Sequence, residues 1–132
     1  MPYTLHHHGA VDGVTGSCHQ LLLADGRSIL VDCGLFQGAE TSADGGAAGQ
    51  PEIGFPVADI QALVITHVHI DHVGRIPHLL AAGFRGPIIC SEASAVLLPL
   101  VLEDALKVGF TRDETLIRRF LGEIRKQLVP LP

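Results

Sequence analysis

Apolar residues fall into short runs in the first half of this chain and into stripes at helical spacing in the second half. Short runs bounded by turn residues predict strands, here at residues 3–8, 18–24, 27–31, 62–65 and 88–90. Stripes at helical period predict helices over residues 73–82, 91–108 and 111–128. Residues 38–51 are rich in Gly, Ala and Ser and have no hydrophobic period, so we expect a flexible loop there. The whole pattern predicts an α/β fold.

The ends of the helices carry their own signals. Ser91 is expected to be an N-cap, and Pro99 is expected to bend the helix that contains it. Thr111-x-x-Glu114 matches a capping box, so the last helix is expected to begin at Thr111. Residues 56–60 predict a short helical turn before the fourth strand. Residues 129–132 are apolar and contain two prolines, so they predict a non-helical end.

The composition allows one core built from aliphatic side chains. The chain has 132 residues, is 47% hydrophobic and contains no Trp. Its formal charge of -5 argues against a broad electrostatic grip on nucleic acid. Six of the nine Lys and Arg residues lie between Lys107 and Lys126. We interpret this cluster as the solvated face of a helix and not as an RNA track.

Cysteine usage and the lack of targeting signals indicate the compartment. The three cysteines form no CxxC pair, which is typical of a reducing compartment and predicts buried free thiols. The longest apolar run, residues 95–102, is too short to cross a bilayer. No secretory signal opens the chain. These features predict a cytoplasmic protein without membrane contact.

The densest chemistry lies in residues 66–72, directly after the fourth predicted strand. In an extended segment His67 and His69 point to the same side, about 7 Å apart, and can converge on one ion. Asp71 and His72 are adjacent and can serve one ion only if the backbone turns, as the start of a helix would make it do. The layout predicts two neighbouring metal positions, one for each of these pairs. The alternative is a histidine-rich surface turn, but packing does not explain four ligand-type residues in this order.

Asp32 ends the third predicted strand, and its position allows two roles. Its carboxylate could accept the N–H of a ligand imidazole, as carboxylates beside metal sites often do. It could instead cap the next turn of the chain. Position alone does not choose between these roles.

The other histidine motifs are weaker metal candidates. If residues 6–8 form a strand, His6 and His8 lie on one face and His7 on the other, which makes the triplet a poor site. His78 lies inside a predicted helix. We expect it to be a surface or partly buried residue and not a ligand.

Several segments together resemble one family. Residues 67–72 are similar to the HxHxDH signature of the metallo-β-lactamase superfamily. Four further segments narrow the resemblance to its β-CASP branch, which acts on RNA: GVTGS at 13–17, DCGLFQG at 32–38, GRIP at 74–77 and GFRGPI at 83–88. That branch includes bacterial ribonuclease J and the endonuclease subunit of the messenger-RNA 3′-end cleavage complex. HxHxDH alone specifies only the superfamily, but the resemblance runs along nearly all of the chain.

The resemblance implies a fold, a metal and a reaction. The implied fold is a partial αββα sandwich, mainly one sheet layer with its flanking helices. His67 and His69 would bind one zinc, Asp71 and His72 a second, and Asp32 would orient a ligand from behind. Asp71 and His72 would also be catalytic, and manganese is the alternative metal. A hydroxide between the two ions would attack the phosphorus of an RNA phosphodiester, because zinc lowers the pKa of bound water to about 7.

The chain departs from the family downstream of the signature. The family needs a further His for each zinc and a bridging carboxylate, yet the sequence contains no His after His78. Residues 1–132 are therefore expected to be the N-terminal part of a metallo-β-lactamase-fold domain whose C-terminal half is missing. We expect weak metal binding and no nuclease activity from this chain alone. We also expect an exposed apolar sheet face or edge that favours a homodimer.

Two other functions remain open on the sequence alone. Other hydrolases of the superfamily use the same signature on thioesters, lactams or sulfate esters. A non-catalytic scaffold paralogue is the second alternative, although such paralogues usually lose the ligand residues that this chain keeps. β-CASP motifs or altered ligands further along the parent gene would distinguish these functions from an RNA nuclease.

Overall fold

Strands and amphipathic helices occupy most of the positions that the apolar pattern predicts. The computed structural model describes residues 2–37 and 52–132, so the predicted loop at 38–51 lies outside the described residues. In chain order the elements are β1 (Thr4–His7), β2 (His19–Leu22), β3 (Ser28–Val31), β4 (Ile60–Val64), α1 (Ile70–Val73), α2 (Ile76–Ala81), β5 (Ile88–Ser91), α3 (Glu92–Gly109), α4 (Glu114–Gln127) and β6 (Leu128–Leu131).

The strands of the described residues form one sheet whose spatial order is the chain order. β1, β2 and β3 are antiparallel neighbours, whereas β3, β4, β5 and β6 run parallel. Parallel neighbours need crossover connections, which α1 and α2 supply after β4 and α3 and α4 supply after β5. Because β3 and β4 are parallel, the residues directly after them meet at one edge of the sheet.

One face of the sheet forms the core with the helices. Leu30, Leu63 and Ile88 are paired in register across β3, β4 and β5, and each is fully buried. The helices α3 and α4 add buried residues at spacings of three and four to the same cluster: Leu98, Leu102, Leu106, Ile117, Leu121 and Ile124. The prediction of an α/β fold with one sheet layer and flanking helices is confirmed.

The opposite face of the sheet is also apolar, but it is only partly covered. Val31, Val64 and Ile89 are paired in register and point away from the helices, since neighbouring residues of a strand alternate between faces. All three stay partly exposed, and Val129 at the end of this row is 41% exposed. Among the described residues, the core cluster includes none of these four side chains. The expectation of an exposed apolar face is confirmed.

The helix after the histidine cluster differs from its prediction. Instead of one helix from residue 73, the chain forms α1, which already begins at Ile70, and then α2. The break falls at Gly74 and Arg75, where the Arg75 N–H bonds Cys33 O at 2.9 Å outside any helix. A backbone group that serves a neighbouring loop cannot continue the helical ladder.

Two further local predictions were wrong. Residues 56–60 form no helix, because the Ile60 N–H bonds Val57 O in a turn and β4 already begins at Ile60. The N-cap of α4 is Asp113, whose Oδ1 accepts from the N–H groups of Thr115 and Leu116, and not Thr111. The predicted non-helical end is confirmed, but the strand β6 that forms there was not predicted. Its proline is tolerated because β6 is an edge strand.

Two compositional predictions concern cysteines and membranes. Cys18, Cys33 and Cys90 are all free and buried, as expected. In the part of the chain that the structure describes, no helix is both long and apolar enough to span a bilayer.

Candidate active site

The candidate site lies at the edge of the sheet where β3 and β4 end. Asp32 comes directly after β3, and Thr66 lies two residues beyond β4. The Asp32 N–H bonds Val64 O at 2.8 Å, which extends the parallel pairing up to this point. The loop before β2, the loop after β3 and the helix α1 converge here.

Asp32 is the buried centre of this edge. Its side chain is 2% exposed, and its backbone lies in the left-handed region at φ 62°, which is uncommon for a residue other than Gly but accessible to Asp. Oδ1 accepts from the Thr66 N–H at 2.8 Å. Oδ2 accepts from Thr66 Oγ1 at 2.8 Å and contacts His72 Nδ1 at 2.7 Å and Ser17 Oγ at 3.4 Å. Of the two roles that the sequence left open, the contact with an imidazole is the one present.

The Asp32 contact fixes the orientation of His72. A carboxylate accepts, so Nδ1 of His72 donates, and in the neutral imidazole Nε2 is then the nitrogen with the lone pair. Nε2 lies 3.5 Å from Oδ2 of Asp71. Both residues belong to α1, whose first turn provides the backbone turn that the pair requires. The imidazole nitrogen and the carboxylate oxygen are therefore neighbours at the start of α1.

His67 and His69 lie beside this pair in the extended segment before α1. Their ring centroids are 4.7 Å apart, and the His67 ring is 4.0 Å from that of His72. The structure thus gathers three imidazoles in one patch, with Asp71 next to His72. Within residues 2–37 and 52–132, no group of three or more His, Cys, Asp or Glu side chains is arranged so that it could hold a metal ion.

The loop after Asp32 is joined to α1 through backbone hydrogen bonds. The N–H groups of Cys33 and Leu35 bond the carbonyls of His72 and Ile70 at 2.9 and 3.0 Å. Gly34 lies between them, and a Cβ built there would be 1.6 Å from Asp71 O. Only glycine permits this close approach, which holds the two loops at a fixed distance.

Arg75 reinforces the same junction from inside the protein. Its side chain is 3% exposed, its Nε donates to Gly34 O, and its guanidinium lies 4.7 Å from the centroid of the Phe36 ring. Among the described residues, Nη2 has no hydrogen-bond partner. A buried cation is costly unless it is compensated, and here a carbonyl and an aromatic face supply that compensation.

Two thiols lie under this edge. The hydrogen bond between Cys18 and Cys33 lowers the pKa of Cys18, and the same bond together with burial raises the pKa of Cys33 well above its ordinary value. Both side chains are fully buried, so they act as packing groups of the core.

The weaker histidine motifs contact residues other than the four potential ligands. His6 and His8 share one face of β1, with ring centroids 6.1 Å apart, as alternation predicts. His78 is partly buried against Phe110, as expected, and burial lowers its pKa.

Sequence reasoning missed three residues that shape the site: Thr66, Ser17 and Arg75. The first two look like ordinary polar residues in turns, and only the fold brings their hydroxyls to Asp32. Arg75 is charged and was not expected to be buried. The isolated cation in an otherwise apolar helix was the one available signal.

Comparison with known proteins identifies the family. The Metallo-beta-lactamase superfamily matches residues 13–130. This chain belongs to the metallo-β-lactamase superfamily. The match covers most of the chain and includes the histidine cluster and Asp32.

Individual relatives narrow the comparison. The chain is 49% identical over 100 residues to Ribonuclease TTHA0252 of Thermus thermophilus, covering 76% of this chain and 22% of that protein. It is 33% identical over 129 residues to Transcription termination factor FttA of Cenarchaeum symbiosum, covering 94% of this chain and 19% of that protein. It is 30% identical over 104 residues to Endoribonuclease ysh-1 of Neurospora crassa, covering 78% of this chain and 12% of that protein. The chain spans about a fifth or less of the length of these relatives. The resemblance to the RNA-processing branch is confirmed.

Proposed function

We propose that this chain is the N-terminal, ligand-bearing part of a zinc-dependent ribonuclease. The observation that carries the proposal is the chain of contacts from Asp32 through His72 to Asp71, with the rings of His67 and His69 beside it. His69 is exposed and the other three potential ligands are partly exposed, so these side chains are accessible at the sheet edge. The arrangement does not resemble a set of histidines buried for packing.

Imidazole nitrogens and a carboxylate oxygen are donor types that zinc takes, and the described residues bring them together in pairs and not in larger groups. Two ligands of one tetrahedral zinc at 2.0–2.1 Å lie about 3.3–3.4 Å apart, and Nε2 of His72 and Oδ2 of Asp71 are separated by 3.5 Å. The imidazoles of His67 and His69 supply the nitrogen donors for a neighbouring position. Two zinc ions, when bound, would supply a hydroxide near neutral pH and stabilise the charge that develops on a phosphate.

The chain's own residues prepare this chemistry. Asp32 holds His72 in the tautomer whose Nε2 can bind metal, and such partners are typically worth about 10–100-fold in metal affinity. The hydroxyl of Thr66 donates to the same carboxylate oxygen, Oδ2, and the N–H of Thr66 donates to Oδ1. Gly34 and Arg75 fix the distance between Asp32 and α1, which carries Asp71 and His72.

RNA is the proposed substrate, and its support comes from the relatives. Two of the three proteins described above are named as a ribonuclease and an endoribonuclease. Since the chain covers only a small part of each, the complete site would need ligands from the rest of the parent protein. We therefore assign the hydrolytic activity to the parent and expect none from residues 1–132 alone.

Zinc calorimetry on this chain tests the proposal. His67→Ala combined with His69→Ala should abolish the strongest zinc binding, whereas His6→Ala, an exposed histidine on β1, should leave it unchanged. Equal zinc affinity in the wild type and the double variant would remove the basis of the assignment.

An RNA cleavage assay tests the division between this chain and its parent. The isolated chain should cleave no RNA with zinc or manganese present. Efficient cleavage that Asp71→Asn abolishes would show that the chain needs no further ligands. The parent protein should lose cleavage on the same substitution.

A further inference from the structure

A second pair of histidines lies outside the candidate active site. His7 and His19 are directly opposite each other in β1 and β2. Their Nδ1 atoms are 2.7 Å apart, and their rings are T-shaped with centroids separated by 4.9 Å. His7 is exposed and His19 partly exposed, so solvent reaches the pair. At this distance one Nδ1 donates a hydrogen bond to the other, so a metal ion held by both nitrogens would replace the proton that they share.

The neighbouring histidines are directed elsewhere. His8 Nε2 bonds Gln20 Oε1 at 2.7 Å, and the His8 ring stacks on Phe55 at 3.8 Å. His6 shares that face of β1. The pair therefore contributes two nitrogen donors, and water would complete the coordination of any ion that it holds.

The spacing of the two nitrogens distinguishes between coordination geometries. Adjacent ligands of a square plane at about 2.0 Å lie about 2.8–2.9 Å apart, which is close to the observed 2.7 Å. Two ligands of a tetrahedral zinc would need about 3.3–3.4 Å and hence a larger movement of both rings. We propose that His7 and His19 chelate a divalent transition-metal ion of tetragonal geometry through their Nδ1 atoms, Cu²⁺ in first place and Ni²⁺ after it.

The environment suits a cation that binds neutral imidazole. Burial, and then the charge of His7, lower the pKa of His19, so protons compete less with a metal at neutral pH. Cu²⁺ stands highest in the affinity order of divalent ions for nitrogen sites. His19 pairs with Val31, the residue before Asp32, so the new site adjoins the candidate active site without sharing a residue with it.

A copper titration in a variant that lacks the main cluster tests the proposal. In the His67→Ala/His69→Ala chain, calorimetry and the visible d–d absorption of Cu²⁺ should show one bound ion per chain. Adding His19→Ala or His7→Ala should weaken that binding by at least about tenfold, because losing a ligand costs no less than losing the partner of a ligand. Ni²⁺ should show the same order of variants at lower affinity.

His6→Ala is the matched control, because it removes an exposed histidine from the same strand but from the opposite face. It should leave copper binding unchanged. Circular dichroism checks the fold, and His7→Gln and His19→Gln serve if an alanine variant unfolds. Copper binding that survives His19→Gln, or that falls equally with His6→Ala, would overturn the proposal.

Discussion

The two faces of the sheet have similar side chains and different surroundings. Ile88 is fully buried under the helices, while Ile89, the next residue on β5, lies on the other face and stays partly exposed. The same holds for Leu63 and Val64 on β4. Apolar patterning therefore specifies which residues avoid water, but it does not require that the covering layer be part of the same stretch of chain. One face carries the stability of this chain, and the other is an open apolar surface.

The largest expected effect comes from substituting two neighbours on opposite faces. Ile88→Ala should lower the free energy of unfolding by about 2–5 kcal/mol, because it leaves a cavity in a packed core. Ile89→Ala should cost less than half as much, since that side chain already contacts water. Urea unfolding at low protein concentration measures both. Equal losses would mean that the second face is covered in solution, for instance by a second copy of the chain.

The next effect compares a tightly packed glycine with an open one. Gly34→Ala should destabilise the protein by about 1–3 kcal/mol or more, because its Cβ would overlap Asp71 O. Gly122→Ala should stabilise it by about 0.5–1 kcal/mol, since Gly122 lies inside α4 with no atom within 4 Å of the added Cβ. Thermal unfolding of the two variants should shift in opposite directions. A shared direction would contradict the packing described for the junction with α1.

A smaller effect on zinc affinity is expected at the sheet edge where β3 and β4 end. Asp32→Asn keeps a side chain that tolerates φ 62° and can still accept from Thr66 N–H, but it removes the charge beside His72. Zinc affinity should fall by about 10–100-fold. Asp25→Asn, in the exposed hairpin turn, is the control. Unchanged zinc affinity in Asp32→Asn would mean that Asp32 does not contribute to zinc binding.

The smallest expected effect is the pH dependence of the stability, to which His78 and His19 should contribute unequally. Burial lowers the pKa of His78 below its ordinary value of 6.5, so the unfolded chain binds this proton more readily than the folded one. Stability should therefore decrease as the pH falls below about 6.5. His78→Gln should reduce this decrease more than His19→Gln, because His78 is the more buried of the two. Denaturation midpoints at several pH values give both slopes, and a larger reduction from His19→Gln would reverse the assignment.

Local sequence signals were sufficient to predict the strands and helix ends whose pattern lies within a few neighbouring residues. Periodicity and turn chemistry predict the hairpin of β2 and β3, the strands β4 and β5 and the N-cap at Ser91. β6 escaped prediction because Pro130 argues against a strand unless the strand is known to lie at an edge. Edge position is a property of the assembled sheet, and no local pattern reports it.

In the candidate site, too, sequence signals identify some residues, and only the fold reveals the others. The four potential ligands in residues 67–72 are recognisable because they are close in sequence. The residues that hold these ligands in place are harder to recognise. Thr66 donates to Asp32 and Arg75 donates to Gly34, and each pair is more than thirty residues apart in sequence. A buried arginine, in particular, contradicts the usual preference of charged side chains for the surface, and the carbonyl of Gly34 and the ring of Phe36 compensate its burial.

The separation of Asp32 from its partners also has a kinetic consequence. Asp32 is 34 residues from Thr66 and 40 from His72, whereas the β1–β2–β3 meander needs only short loops. Contacts that close long loops form slowly, since the chain must lose entropy before they stabilise it. The meander can therefore form first, and the parallel pairing of β4 with β3 completes the edge afterwards. Rapid-mixing experiments should find that the chain gains zinc affinity later than it gains strand structure.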